Sequence, residues 1–126
     1  MPPSPSDAEL DILHVLWQHG RCTVRFIHEQ IATRREVGYT TTLKQLQRMT
    51  EKGFVQQHKA GKSHEYTALL PEQEVKGSLV QRLIDTAFQG STQEMLLHAL
   101  GRGQAPSDEE LEALEAWIKR QKNSDQ

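Results

Sequence analysis

The spacing of apolar residues changes at Gly53, and this change constrains the fold more than any other feature of the 126 residues. Up to Lys52, apolar residues recur every three or four positions, which is the spacing of one face of an α-helix. The segment 54–70 is rich in β-forming residues on either side of the turn sequence AGKS. It therefore predicts a hairpin with strands at 54–59 and 64–70 and Gly61 in the turn. Helical spacing returns after Pro71, so the hairpin lies between two helical regions.

Three helices are predicted before the hairpin, at about 7–18, 24–33 and 40–52. The first opens with the capping box Ser6–Glu9, and the second follows the N-cap residue Thr23. In the third, Thr40 is a candidate N-cap. The inward side is assigned to Leu43, Leu46 and Met49, with Thr42 beside them.

Three further helices are predicted after Pro71. One covers about 72–88, and capping boxes beginning at Ser91 and Ser107 open the other two, with GRGQAP (101–106) as a loop between them. Three helices followed by a hairpin is the order of a winged helix-turn-helix, in which the third helix points at the major groove. The predicted fold is therefore mainly α, an α+β winged helix followed by a helical region. The predicted domains are a disordered, proline-rich arm (1–6), the winged helix (7–70) and a helical dimerisation domain (71–126).

Charge is distributed unevenly along the chain. Residues 21–64 contain nine Lys and Arg but only three acids, whereas the whole chain carries a net charge of −2. A basic segment in a slightly acidic protein favours a polyanionic partner, although an ordinary solvated surface is the alternative.

The third helix and the hairpin supply the candidate contacts with DNA. The side of the helix opposite its apolar residues is expected to present hydroxyls, an amide and cations without an acid, which suits phosphates and base edges. Each threonine taken alone is more simply explained as a structural residue. The candidate DNA-binding residues are Tyr39, Thr40, Thr41, Lys44, Gln45 and Arg48 in the helix, and Lys59, Lys62, Ser63 and His64 in the wing. The competing hypothesis is a winged-helix protein-interaction module that binds no DNA, which should expose large apolar residues on this helix.

The segments SDAELDILHVLWQHGRCTV, GYTTTLKQLQRMTEKGFV and HEYTALL together resemble the penicillinase-repressor family of bacterial transcription regulators. The resemblance spans about 7–121 and is strongest over 7–70. It implies a homodimeric repressor with an N-terminal winged helix for a palindromic operator, DNA contacts from Thr40, Thr41, Lys44 and Arg48, and a C-terminal helical region for dimerisation.

The C-terminal half independently suggests a dimer. Its apolar residues exceed what a short helical tail can bury by itself, so a second subunit is expected to cover them, unless the helices fold back on the winged helix. The candidate dimerisation residues are Val75, Leu79, Leu83, Ala87, Met95, Leu96, Leu100, Leu111, Leu114, Trp117 and Ile118.

The resemblance also implies a sensor-protease pathway that inactivates the repressor by a cut in the short helix containing EMLLHAL. The well-known members have Asn-Phe at the cut, whereas this sequence has His98-Ala99 nearby. Copper-responsive members carry paired C-terminal cysteines, which this chain lacks. The inducing signal is therefore left open.

Several classes of function are disfavoured. The six histidines show no metal-ligand spacing, and no catalytic motif is present, so neither a cofactor nor an enzymatic activity is expected. Cys22, the single cysteine, is expected to be buried or inert rather than a redox sensor. The absence of a signal-peptide pattern and of a long apolar run predicts a cytoplasmic protein without membrane insertion.

Overall fold

A computed structural model describes residues 4–101 and 105–124. It divides into two compact units, which meet inside the fourth helix between Val80 and Gln81. The sequence placed the domain boundary at 70–71, before that helix begins. The first unit extends to Val80 and so includes about the first half of that helix, where Val75 is buried.

The first unit contains three helices and a small antiparallel sheet. Its elements are α1 (Asp7–His19), β1 (Cys22–Thr23), α2 (Val24–Ala32), α3 (Tyr39–Lys52), β2 (Val55–Ala60) and β3 (Ser63–Ala68), followed by the start of α4 (Glu72–Ala87). The strand order is β1-β3-β2. The predicted winged-helix class is confirmed, and the two-residue strand β1 is an addition that the sequence did not predict.

β1 forms because Cys22 pairs with Tyr66 and Thr23 pairs with Glu65 on the outer edge of β3. In the hairpin, Val55 pairs with Ala68 at one end and Ala60 with Ser63 at the other, which leaves a two-residue loop. Gly61 occupies the first loop position with φ +62°, the conformation that a type II′ hairpin turn requires and that glycine adopts without strain.

Side-chain caps set two of the helix starts as predicted. Ser6 and Glu9 form the reciprocal capping box of α1, and Thr23 Oγ1 accepts a hydrogen bond from the Phe26 N–H at the start of α2. Of the predicted disordered arm, residues 1–3 lie outside the described residues. Pro5 is buried and Ser6 caps α1, so the end of the arm is part of the fold.

One apolar core joins α1, α2, α3 and the sheet. Its buried members are Ile12, Leu13, Val15, Leu16, Cys22, Val24, Ile27, Ile31, Leu46, Met49, Phe54, Val55 and Tyr66. Trp17 borders this core, and its indole N–H donates a 2.8 Å hydrogen bond to the carbonyl of Leu70. That bond ties α1 to the chain just after the wing, which orients the wing relative to the helices.

An ion pair connects the start of α1 to the end of α3. Glu9 Oε2 lies 2.7 Å from Lys52 Nζ, and Glu9 Oε1 accepts a hydrogen bond from the backbone N–H of Ser6. Burial raises the pKa of Glu9, but the hydrogen bonds from Lys52 and Ser6 and the charge of Lys52 outweigh it, so the pKa lies below 4.5. Glu9 and Lys52, both part of the family resemblance, thus hold α3 against α1.

We expect Glu9→Gln to destabilise the protein by about 1 kcal/mol at neutral pH, because Lys52 is half-exposed and solvent screens the pair. Since the folded-state pKa is depressed, this stability is present above pH 4.5 and is lost as pH falls through the folded pKa. Urea denaturation of both proteins at pH 7 and near pH 3 (roughly, below the unfolded pKa) measures the difference. Glu72→Gln, which breaks an exposed pair with Lys76, is the control and should change little. An equal loss at both pH values for Glu9→Gln would contradict the assignment.

The second unit contains the remainder of α4, α5 (Thr92–Gly101) and α6 (Asp108–Ser124). Ser91 and Ser107 cap α5 and α6 by accepting hydrogen bonds from the N–H groups of Glu94 and Glu110. The predicted loop at 101–106 falls partly outside the described residues. Within the described part, Ile84 is buried and Phe88 packs edge-to-face on His98, but α5 and α6 contain no buried residue.

Candidate nucleic-acid interface

The first turn of α3 is not capped by any side chain. The N-cap residue is Gly38, in an extended conformation, and it makes no side-chain hydrogen bond. The prediction of Thr40 as a candidate N-cap is wrong, because the helix already begins at Tyr39 and Thr40 lies in its first turn. The backbone N–H groups of this turn therefore remain available, and a helix N-terminus of this kind binds anions.

The inward side of α3 is centred on Thr42, Leu46 and Met49, all buried, while Leu43 is only half-buried. The inward position predicted for Thr42 is confirmed. Compared with a side formed by Leu43, Leu46 and Met49, a side formed by Thr42, Leu46 and Met49 corresponds to a rotation of the helix by roughly 30°, given about 100° per residue.

The rotation leaves most of the predicted contact residues exposed. Thr40, Thr41, Lys44 and Arg48 all face solvent, as contact with DNA requires. Gln45 differs: it is half-buried, and its Oε1 is shielded from solvent without a hydrogen-bond partner. Its placement on the outward side is therefore wrong, because the rotation turns it towards α1.

Two exposed residues of α3 were not predicted on this side. Gln47 and Glu51 are both exposed, and they follow Lys44 at the three- and four-residue spacing of one helix side. The expectation of a side free of acids thus fails at its C-terminal end. The sequence would have placed Gln47 on the outward side if Thr42, Leu46 and Met49 had been taken as the inward residues.

Tyr39 and Thr42 connect the first turn of α3 to α2 through His28. The Tyr39 ring packs edge-to-face on His28 with centroids 5.6 Å apart, and Thr42 Oγ1 lies 3.2 Å from His28 Nδ1. Tyr39 nevertheless remains 47% exposed, so the ring contact does not bury it. These contacts set the position of the helix start that carries the uncapped N–H groups.

The wing presents its predicted residues at the tip of the hairpin. Lys59, Lys62, Ser63 and His64 are all exposed, and Lys59 pairs directly with His64 across the strands. Ser63 Oγ donates a 3.1 Å hydrogen bond to the Ala60 carbonyl, which occupies its hydroxyl proton. Ser63 therefore supports the turn, and the lysines are the groups suited to a phosphate.

Some of the nine basic residues of segment 21–64 are paired with acids and others are not. Arg21, Arg35 and Lys52 are paired with Glu65, Asp11 and Glu9. Lys44, Arg48, Lys59 and Lys62 make no ion pair within residues 4–101 and 105–124. Arg25 and Arg34 likewise make no ion pair within the described residues, so Lys44 and Arg48 of α3 and the two lysines of the wing tip are among the cations whose charge the protein does not neutralise.

The remaining features to consider are the Cys22 thiol, clusters of metal-ligating side chains and membrane-spanning helices. Burial, with the charge of Glu65 as a second cause, raises the pKa of the Cys22 thiol, and its Sγ donates to the Gly20 carbonyl. A protonated, buried thiol is a poor nucleophile. The described residues hold no cluster of three or more metal-ligating side chains, and none of their helices is long and apolar enough to cross a membrane.

The C-terminal helices leave apolar side chains exposed. Those of the predicted dimerisation set that remain at least 40% exposed are Leu83, Leu96, Leu100, Leu111, Leu114, Trp117 and Ile118. Val75 is a correction, because it is only 4% exposed and the chain itself already buries it. Ala87 is exposed, whereas Leu79 and Met95 are half-buried. Exposed apolar surface on this scale is typical of an interaction surface.

A family model described as penicillinase repressor matches residues 5–120. The chain belongs to the penicillinase repressor family. The match covers the winged helix and most of the C-terminal helices, so the resemblance predicted from the sequence is confirmed. The named relatives are transcriptional regulators and repressors, and the prediction that this family member is not an enzyme follows from that membership.

Relatives and solved structures agree with this assignment. This penicillinase-repressor family member is 34% identical to the transcriptional regulator BlaI of Mycobacterium tuberculosis over 98 residues, which covers 76% of this chain and 71% of the relative. It is 26% identical to the penicillinase repressor of Bacillus licheniformis over 121 residues, 96% and 94% of the two chains. The solution structure of the DNA-binding domain of the repressor BlaI superposes with a TM-score of 0.53 at 27% identity, covering 59% of this chain and 90% of that one. A second solution structure, of monomeric Bacillus licheniformis BlaI in complex with the blaP half-operator, gives 0.51 at 27% identity with the same coverage.

Proposed function

We propose that this protein is a cytoplasmic, homodimeric transcriptional repressor that binds a palindromic operator. The observation that carries the proposal is the solvent-facing side of α3, where an uncapped helix start lies beside hydroxyls and the unpaired cations Lys44 and Arg48. This combination suits phosphates and base edges. The BlaI structure solved with a half-operator supports the analogous division here, one winged helix for each half-site.

The two halves of the chain have different roles in this proposal. The winged helix, residues 7–70, binds DNA through α3, with backbone contacts from the lysines of the wing. The helical region, residues 71–126, joins two subunits through its exposed apolar side chains. A dimer then places two recognition helices in successive major grooves, and occupancy of a promoter represses transcription.

The competing protein-interaction module is less well supported. Such a module should expose large apolar residues on α3, but the only large apolar or aromatic side chain exposed there is Tyr39, which lies at the edge of the helix. The exposed apolar residues are concentrated in the C-terminal helices instead. This distribution favours DNA on the winged helix and a protein partner, a second subunit, on the helical region.

Release by a protease, which the resemblance implies, stays a prediction. Among residues 92–101 only Met95 is half-buried and the others are exposed, so little packing opposes local opening of α5. His98-Ala99 lies in this exposed segment, but it differs from the Asn-Phe pair of the well-known members.

A salt titration tests the DNA-binding proposal. The full chain is used to select duplexes from a randomised library, and its affinity for the selected site is measured by fluorescence anisotropy from 50 to 200 mM salt (about the range in which phosphate contacts dominate). If Lys44, Arg48, Lys59 and Lys62 of both subunits all contact phosphates, the slope of log affinity against log salt concentration is predicted to be about −7. Failure to select any sequence, or a slope near zero, would refute the proposal.

A further inference from the structure

We propose that Gln47 is a specificity-determining residue of the recognition helix and reads an adenine in the major groove of each half-site. The inference rests on the proposed DNA-binding function and deepens it. It assigns base recognition to a residue that lies outside the contact set expected from the sequence, and it removes that role from Gln45.

The geometry of α3 places Gln47 on the outward side. Thr40, Lys44 and Gln47 are exposed and follow one another at four- and three-residue spacing, so they form a row along consecutive turns. Gln47 and Arg48 are about 100° apart around the axis and flank Lys44 on either side. The row from Thr40 to Gln47 is roughly 10 Å long, which corresponds to about three base-pair steps.

The chemistry of the row separates Gln47 from its neighbours. Lys44 and Arg48 are cations that phosphates attract whatever the base sequence is, and Thr40 lies beside the anion-binding helix start. Gln47 is neutral and carries one acceptor and two donor hydrogens, the pattern that pairs with N6 and N7 of adenine. Its side chain makes no hydrogen bond within residues 4–101 and 105–124, so none has to be broken when it meets a base.

Gln45 cannot take this role in the observed rotation of α3. Its Oε1 is shielded from solvent, and the side chain lies among residues of α1 and of the segment before α3, including Asp11 and Val37. Bidentate recognition of adenine requires both amide atoms to reach the base edge. The sequence alone does not distinguish the two glutamines, but the packing of Thr42 does.

Glu51 limits how much of the row faces DNA. It continues the row one turn beyond Gln47, is exposed, and makes no ion pair within the described residues. A carboxylate repels phosphates, so the C-terminal turn of α3 must be directed away from the backbone. Gln47 is therefore the last residue of the row that reaches the base edges.

The test compares sequence preferences rather than affinity alone. The full-length wild-type chain and its Gln47→Ala variant are each used to select duplexes from a randomised library. Wild type should select adenine at one position of each half-site, and Gln47→Ala should lose that preference while the remaining positions are unchanged. On a site with that adenine replaced, wild type should bind roughly 5- to 150-fold more weakly per half-site, and Gln47→Ala should not distinguish the two sites. Alanine is the best helix former, so α3 is expected to remain folded.

Two further variants complete the experiment. Gln47→Arg should change the selected base from adenine to guanine, the usual partner of arginine. Gln45→Ala is the matched control and should keep the wild-type adenine. An unchanged preference in Gln47→Ala, or loss of the adenine in Gln45→Ala, would overturn the inference while leaving the repressor proposal intact. A wild-type chain that selects no sequence would refute the proposed function itself, and the inference with it.

Discussion

The double variant Leu114→Glu/Trp117→Glu is expected to sediment as a monomer of 14.4 kDa at low micromolar concentration, where the wild type sediments as a dimer. Both side chains are at least 40% exposed on one side of α6, where they lie with Leu111 and Ile118. Placing two carboxylates in a dry interface carries a large desolvation cost with no partner to offset it. Dimerisation through α6 should therefore be lost.

The same variant should lose most of its operator affinity although it leaves the winged helix untouched. In a dimer, the second half-site is bound intramolecularly, which raises the affinity for the full operator by about 10²- to 10⁴-fold. The monomer should lose that factor, and its salt slope should fall to about half. Anisotropy on the full operator and on a half-site measures both quantities.

Ala116→Glu is the matched control for this experiment. It introduces the same side chain on the opposite side of α6, so it should leave both the dimer and the affinity unchanged. Circular dichroism of each protein checks that α6 remains helical. A Leu114→Glu/Trp117→Glu variant that is still dimeric would place the subunit interface elsewhere.

Arg48→Ala is expected to weaken operator binding by about 1–3 kcal/mol for each half-site. Arg48 is exposed on the outward side of α3 and makes no ion pair within the part of the chain that the structure describes, so its loss should not disturb the fold. If it contacts a phosphate, the salt slope should fall by about 1 per subunit and the selected sequence should stay the same. If it contacts guanine, the selected sequence should change at that position.

The control for Arg48→Ala is Lys119→Ala, which removes an exposed cation from α6. It changes the net charge of the protein equally but lies outside the winged helix, so affinity should change little. Normal operator affinity in Arg48→Ala would count against the assigned side of α3. Loss of affinity in both variants would point to a general effect of net charge.

Local signals in the sequence were sufficient for the order of the elements. Capping by Ser6, Thr23, Ser91 and Ser107 depends on residues within three positions, and so does the turn at Gly61. The change of period at Gly53 reflects side chains within a single helix or strand. Such features are encoded locally, and the structure reproduces them.

Long-range contacts account for the residues that the sequence misplaced. β1 is only two residues long and exists because Cys22 and Thr23 pair with Tyr66 and Glu65, more than 40 positions away. Val75 belongs to an apolar stripe that suggested a dimer interface, but it is already buried within the single chain. Neither outcome can be read from spacing, because spacing identifies an apolar side and does not identify what covers it.

The difference between what the sequence determines and what the tertiary structure decides is clearest in α3. The sequence by itself determined that residues near 40–52 form a helix, that Thr42, Leu46 and Met49 are compatible with a core, and that the cations lie on the other side. Only the tertiary structure decided the rotation of that helix, because packing in the core buried Thr42 together with Leu46 and Met49 and left Leu43 half-buried. A rotation of roughly 30° is small beside the 100° step between residues, yet it turns Gln45 inward and Gln47 outward. Which glutamine can reach DNA is therefore a property of the packed core rather than of the helix alone.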